Sequence, residues 1–387
     1  MTAVDVPAVV LAAGEGRRLA PLTNTRPKPM VPVANRPILE HVLEALIAAD
    51  VSEVVFVVGY QQERIRNHFA DGDDWGVDIS YVQQSPQLGT GHAIEQAESA
   101  VDGPFLVLNG DRIVDPLIIE DVRATLVEQS PVISMTSVRH PSTFGVVTEL
   151  DGHLVSIEEK PLDPAPTELI NAGVYGFDQS IFEAIRATDM RDGELAITDT
   201  LDRLADEVDI PVIRYDGRWL DVTHLWDLPV VNAEVLADED GSDGREFSGS
   251  VREDVTIHAT ATIGDNATIV GGSAIGAGAS IGPTAVVENA VILPDARISA
   301  GAVVRDAIIG ANTHIGANST IEGGETTVVV EGTAYEGVDL GAAIGDNAHI
   351  GGGCVFDPGA IVGNDASVAP GSYLHGSFEP GATVRRG

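Results

Sequence analysis

Ile263-Gly264-Asp265-Asn266-Ala267-Thr268-Ile269 opens a series that continues through Ile275, Ile281 and Val287, with a branched apolar residue at every sixth position. The series begins at Ile257 and resumes as Ile292, Ile298, Val304, then Ile309, Ile315, Ile321, and finally Ile344, Ile350, Phe356, Val362, Val368 and Leu374. Small residues and glycines fill the gaps, as in IGDNAT, IGAGAS and IGANTH. Neither the strand period of 2 nor the helical period of 3.6 generates a repeat of six. A β-helix does: each unit is one short strand and a tight turn, with the apolar side chain aimed into the prism. The register slips by one residue between 287 and 292 and between 304 and 309, and 322–343 interrupts it with an expected protruding loop or hairpin.

Upstream the pattern is different. Ala8–Leu11, Val54–Val58, Tyr81–Gln84 and Phe105–Leu108 are short apolar or β-branched runs. Between them, Ile38–Ala49 and Gly91–Ala100 have helical spacing. Alternating strands and helices over 7–110 predict a mainly parallel α/β sheet. The acidic, Gly/Ser-rich stretch 237–250 is expected to be a linker. The expected domains are therefore 1–236 and 251–387, in keeping with about 100–200 residues per domain.

The net charge is −37, from 59 acidic and 22 basic residues. Such a field disfavours nucleic acid as a partner. Spread along the chain, it suggests a surface adapted to high salt. No run of about 18 apolar residues marks a membrane span, and no signal peptide opens the chain, so a cytoplasmic location is expected. Cys354 is the only cysteine, which excludes an intrachain disulfide or a cysteine-rich zinc site. Only two of the basic residues are lysines, Lys28 and Lys160, and each precedes a proline. A chain nearly free of lysine retains it at these two places.

Leu11-Ala12-Ala13-Gly14-Glu15-Gly16-Arg17-Arg18-Leu19 follows the first strand. Glycines there let the backbone approach a phosphate chain, whose oxygens free N–H groups can cradle. Arg26-Pro27-Lys28-Pro29-Met30 adds two cations on a proline-stiffened backbone, which suggests an anion site.

These segments, with QLGTGHA at 87–93, LNGD at 108–111, EEKP at 158–161, INAGVY at 170–175 and WLD at 219–221, resemble the signature of sugar-1-phosphate nucleotidyltransferases. With the hexapeptide repeats, the whole chain resembles the archaeal UDP-N-acetylglucosamine diphosphorylase / glucosamine-1-phosphate acetyltransferase family. The N-terminal half is also similar to glucose-1-phosphate thymidylyltransferases and uridylyltransferases. The resemblance implies a Rossmann-like, glycosyltransferase-A-like domain followed by a left-handed β-helix, and a homo-oligomer, typically a trimer. It also implies transfer of a nucleotidyl group from UTP or dTTP to N-acetylglucosamine-1-phosphate or glucose-1-phosphate.

Residue by residue, the resemblance gives Arg18 and Lys28 to the reacting phosphates and Asp111 and Asp221 to Mg²⁺. It gives Leu11, Ala12, Ala13, Gly14, Gly16, Gln83 or Gln84, Gly89 and Thr90 to the nucleotide. Gly145, Glu158, Glu159, Lys160, Asn171 and Thr223 fall to the sugar phosphate. Arg17 stands where the family commonly has threonine. The acetyltransferase pattern is missing: Ala300 and Val303 replace the family's histidine and tyrosine, and Gly337-Val338-Asp339 replaces its basic residues before Leu340. His92 is expected to cap or pack within its helix, and His314, His349 and His375 to be structural or solvated. Besides nucleotidyl transfer alone, a bifunctional enzyme that also acetylates glucosamine-1-phosphate and a non-catalytic assembly subunit remain as alternatives.

Overall fold

The computed structural model describes residues 6–161, 169–238, 248–252 and 254–385. Most of the expected linker, 239–247, lies outside the described residues. The chain forms two compact units, and they interleave in sequence. Segments 1–15, 27–30 and 38–220 make the first; segments 16–26, 31–37 and 221–387 make the second.

The first unit is built on a nine-stranded sheet. Ala8–Ala12 lies between Glu53–Val58 and Phe105–Asn109, parallel to both, and Asp78–Gln83 extends the parallel half beyond Glu53–Val58. Three of these strands are apolar along their length because helices cover both faces of the sheet. Val9, Val10, Phe56, Val57 and Val107 are all fully buried. Helix Ile38–Ala48 presents Leu39, Val42, Leu43 and Leu46 to that core, the spacing of one helical face. The other half of the sheet is antiparallel: Leu169–Phe177 pairs with Phe105–Asn109 and Val132–Ser137, and Gly145–Leu150 pairs with His153–Glu159. The parallel strands end side by side. Ala12 faces Val58, Val58 faces Gln83, and Leu11 faces Asn109. The segments that carry Gly14, Gly89 and Asp111 follow these strands at this carboxyl edge, where open α/β sheets bind ligands.

The second unit is a left-handed parallel β-helix with three seven-stranded sheets. The first runs from Ser250–Val251 to Tyr373–Leu374, the second from Thr256–Ile257 to Ser377–Phe378, and the third from Thr262–Ile263 to Thr383–Val384. The six-residue apolar series is its core: Ile269, Ile275, Ile281, Ile298, Ile315, Ile350 and Phe356 are at most 2% exposed. Each branched side chain so buried contributes about 1.5–3 kcal/mol. Three residues after the inward apolar residue, the chain turns with φ positive, at Asn266, Thr284, Asp295, Asn312, Asn318, Asn347 and Asp365. Asn and Asp tolerate the left-handed region better than other side chains do, which is why the turns favour them.

Both register slips fall at one corner, between the first and second sheets. There Asn289 Nδ2 donates to Asp306 Oδ1 at 2.7 Å and Arg305 pairs with Glu288 at 3.0 Å. The interruption leaves from the same corner as an antiparallel hairpin, Glu325–Val330 with Thr333–Asp339. Helix Asp227–Asp238 packs on Val291–Ile292 of the second sheet, whose outward residues Ala274, Val291, Ile308 and Ala343 are buried.

Candidate active site

In the first unit, Lys28 and Asp111 meet. Lys28 opens a single 3₁₀ turn, Lys28–Met30, and Asp111 follows the buried strand Phe105–Asn109. Lys28 Nζ lies 2.7 Å from Asp111 Oδ2. Both side chains are partly sheltered, at 14% and 27% exposure. Gly110 lets this turn close: its N–H donates to Leu11 O at 3.0 Å, and a Cβ there would sit 2.9 Å from the same oxygen. Leu11 and Ala12 end the neighbouring strand and Ala13 follows it, with Ala12 and Ala13 buried, whereas Gly14 stands open to solvent.

The 83–90 loop divides the two glutamines. Gln83 ends its strand exposed. Gln84 is 5% exposed and turns inward: Nε2 donates to Gly89 O at 2.9 Å and lies 3.1 Å from His92 Nδ1. Its amide organises the loop itself. Gln87 Nε2 donates to Ala13 O, tying the loop to the first motif. Gly89 has φ 96, and a Cβ there would meet Leu195 O at 2.7 Å. Thr90 Oγ1 accepts from Ile197 N at 3.0 Å.

A second cluster in this unit holds Gly145, Glu158, Glu159, Lys160 and Asn171. Gly145 pairs with Glu159 across the antiparallel strands. Thr198 Oγ1 donates to Glu159 Oε2 at 3.3 Å, and Lys160 Nζ lies 3.4 Å from Glu159 Oε1. Glu158, Glu159 and Lys160 are exposed. Lys160 has φ 46, a strained conformation for a residue with a Cβ. Asn171 Nδ2 donates to the Tyr175 hydroxyl at 2.5 Å, and Asn171 Oδ1 accepts from Gly173 N. Burial raises the Tyr175 hydroxyl pKa above its ordinary value, so it stays protonated.

In the second unit, Gly16 takes φ 71 ahead of the 3₁₀ turn Arg17–Leu19, and Arg18 is partly exposed. Thr223 Oγ1 donates to Asp221 Oδ2, so these two expected site residues are in contact. Asp227 caps the same turn, accepting from Thr223 N at 3.0 Å and His224 N at 2.7 Å.

One expectation is corrected. Arg26 was paired with Lys28 as an anion-binding cation, but it is buried and its guanidinium is bound by Asp346 of the β-helix. Its charge is neutralised internally. Sequence reasoning also passed over two residues. Gln87 lies inside QLGTGHA, so its signal was present. Arg112 directly follows LNGD, and its guanidinium carbon lies 5.2 Å from the Phe144 ring centroid and 4.7 Å from that of Trp219. Only the fold reveals that aromatic cradle.

Comparison with known proteins bears on this arrangement. Residues 7–238 match the family profile described as nucleotidyl transferase. Residues 251–337 match the GMPPB C-terminal domain, and 341–376 match the bacterial transferase hexapeptide (six repeats). The bifunctional protein GlmU of Methanococcus maripaludis is 37% identical over 233 residues, covering 59% of this chain and 54% of that relative. The chain thus spans about half the length of that relative. A glucose-1-phosphate thymidylyltransferase of Streptomyces antibioticus is 38% identical over 237 residues, covering 60% of this chain and 66% of the relative. A solved structure from Bacillus anthracis, assigned as a glucose-1-phosphate thymidylyltransferase, superposes with a TM-score of 0.56 at 25% identity, covering 61% of this chain and 98% of that one. With the profile spanning more than half its length, the chain belongs to the nucleotidyl transferase family.

Proposed function

We propose that the protein transfers a nucleotidyl group from UTP or dTTP to N-acetylglucosamine-1-phosphate or glucose-1-phosphate and releases pyrophosphate. The contact between Lys28 and Asp111 carries this reading. One of two lysines in a strongly acidic chain is held 2.7 Å from the carboxylate that follows LNG.

The sugar phosphate is already an anion, so its attack on the α-phosphorus needs no general base. Two polyanions must instead be aligned and their charge offset as pyrophosphate leaves. Arg18 and Lys28 supply fixed positive charge for the triphosphate. Gln83, Gly89 and Thr90 are assigned to the base, with Gln84 shaping their loop. Glu158, Glu159, Lys160, Asn171 and Thr223 are assigned to the sugar phosphate. Asp111 and Asp221 offer hard carboxylate oxygens, the donor type that suits Mg²⁺, and Asp111 keeps part of its surface open. Bound there, the ion would supply further positive charge against the phosphates. The chemistry belongs in the cytoplasm, where nucleoside triphosphates are found, and the hexapeptide unit supports a homo-oligomer, with a trimer as the favoured form.

Acetylation of glucosamine-1-phosphate is not part of this reading. An alanine methyl at 300 accepts no proton from an amine, and Val303 has no hydroxyl.

The test is pyrophosphate release over a grid of nucleoside triphosphates and sugar-1-phosphates, with Mg²⁺ varied. Release with UTP or dTTP and one of the two sugar phosphates is expected. Asp111→Asn and Asp221→Asn should each lose about 10²-fold or more in rate. Asn at 221 can still accept from Thr223, so the turn survives and the loss reports the missing charge. No release from any pair, or wild-type rates in both variants at limiting Mg²⁺, would reject the proposal.

A further inference from the structure

The stretch that carries Lys28 is tied to the β-helix at both ends, within the second unit. On one side, Thr25 and Arg26 converge on Asp346. Thr25 Oγ1 donates to Asp346 Oδ2 at 2.5 Å, and Arg26 Nη2 binds the same oxygen. Asp346 is 5% exposed and Arg26 is 7% exposed. The β-helix fixes Asp346 in turn. Its Oδ1 accepts from Ala311 N at 2.8 Å, and its N–H donates to Asn364 Oδ1 at 3.1 Å. On the other side, Ala34 N donates to Asn232 Oδ1 at 2.8 Å. Asn232, fully buried, passes its amide to Gly272 O at 2.6 Å. Asn35 Nδ2 donates to Ile275 O at 3.0 Å. Lys28 therefore sits on a short span between two anchored points, two residues after Arg26, with Pro27 and Pro29 restricting the backbone around it.

We propose that Asp346 of the β-helix is a positioning residue for nucleotidyl transfer: by gripping Thr25 and Arg26 it fixes the backbone that carries Lys28. The proposal rests on the nucleotidyl-transfer reading for its effect on rate, and on the contacts alone for its effect on Lys28. A buried carboxylate in contact with a guanidinium is little screened by salt, so the grip persists at salt concentrations that weaken surface pairs. A hydroxyl and a guanidinium on one carboxylate oxygen also restrict the backbone more than a single point charge would. Truncating Asp346 removes the carboxylate oxygen that Thr25 and Arg26 share, so the segment should loosen.

Because the chain has only two lysines, the idea can be tested without relying on turnover. The full-length protein is treated briefly with an amine-acylating reagent, and labelling of Lys28 is compared with that of Lys160 by peptide mass spectrometry. In the wild type, Lys28 should react more slowly than Lys160, whose side chain is 54% exposed. Asp346→Ala, and the milder Asp346→Asn, should raise the Lys28-to-Lys160 ratio severalfold and lower kcat about tenfold or more, with a smaller change in KM. Arg26→Ala should do the same, and adding Asp346→Ala to it should add little. Ser319→Ala is the control. Ser319 is a buried β-helix residue that donates to Gly351 O, so it should lower stability without changing Lys28 labelling.

Unchanged Lys28 labelling in Asp346→Ala would overturn the proposal. So would additive effects of the two truncations, or an equal rise in Ser319→Ala. A labelling shift in a protein that releases no pyrophosphate with any substrate pair would uphold the positioning of Lys28 and reject the nucleotidyl-transfer reading instead.

Discussion

Lys28 and Lys160 are held in two different settings. Lys28 delivers a compact ammonium to Asp111 from a side chain that is 14% exposed, leaving little room for a branched guanidinium. Lys160 holds its place at φ 46, where a side chain costs about 1 kcal/mol or more, beside Glu159. Arginine at either position keeps the charge, and at 160 it keeps the same backbone strain. A change in turnover would therefore report the shape of the head group. We expect Lys28→Arg and Lys160→Arg each to lower kcat/KM for pyrophosphate release about tenfold or more. Normal turnover in both would show that the two lysines are retained by chance.

At the scale of the element, the β-helix turns repeat one backbone requirement with different residues. Asn266, Asn312, Asn318 and Asn347 meet it with a side chain suited to the left-handed region, whereas Thr284 takes φ 59 with a branched Cβ. Thr284→Asn should therefore stabilise the protein by about 1 kcal/mol, or roughly 2–4 °C in Tm by calorimetry. A lower Tm would mean that the Thr284 hydroxyl, which donates to Pro283 O at 2.6 Å, matters more than the strain.

His314 makes a second prediction about the same element. It faces His349, with their Nδ1 atoms 3.3 Å apart, while its Nε2 lies 2.9 Å from Ser299 Oγ. Burial first, then His349 and Arg297, lower its pKa below the usual 6.5. The unfolded chain therefore takes up this proton at a higher pH than the folded one. The resulting cost to stability is absent well above pH 6.5 and grows as pH falls through 6.5 toward the lowered folded value. His314→Gln keeps a partner for Ser299 but does not titrate. Between pH 8 and pH 5 it should lose less Tm than the wild type; an equal loss would remove His314 from the pH response.

The whole molecule carries a net charge of −37 over 387 residues. Self-repulsion of that size opposes compaction, and 1 M salt shortens its range to about 3 Å. Melting followed by circular dichroism should therefore show Tm rising steadily from 0.1 M to molar KCl, at about the first of which the screening length is ~10 Å. A Tm that does not rise with KCl would discard the high-salt reading. Buried pairs such as Arg26 with Asp346 should contribute little to that trend, because they are already shielded from solvent ions.

Much of the architecture is local information, and the sequence alone determined it. Within each uninterrupted run a residue six positions after an inward apolar residue points inward again, so the β-helix was legible from spacing, and its slips and interruption from the breaks in that spacing. The same holds for the strands and helices of 7–110, whose periods reflect which face is buried. The candidate site was legible as motifs, because residues such as Lys28 and Asp111 sit in recognisable runs. What only the tertiary structure decided was pairing between distant positions. Arg26 reads equally well as a phosphate ligand or a surface charge until the fold sets it against Asp346, 320 residues away. Gln84 turns inward while Gln83 stays out, and Arg112 finds Phe144 and Trp219. The gathering of both slips and the hairpin at one corner emerged only when successive coils stacked. The physical reason is that side-chain direction repeats with the backbone period, whereas the partner of a polar group depends on which remote surface packing brings within about 3 Å.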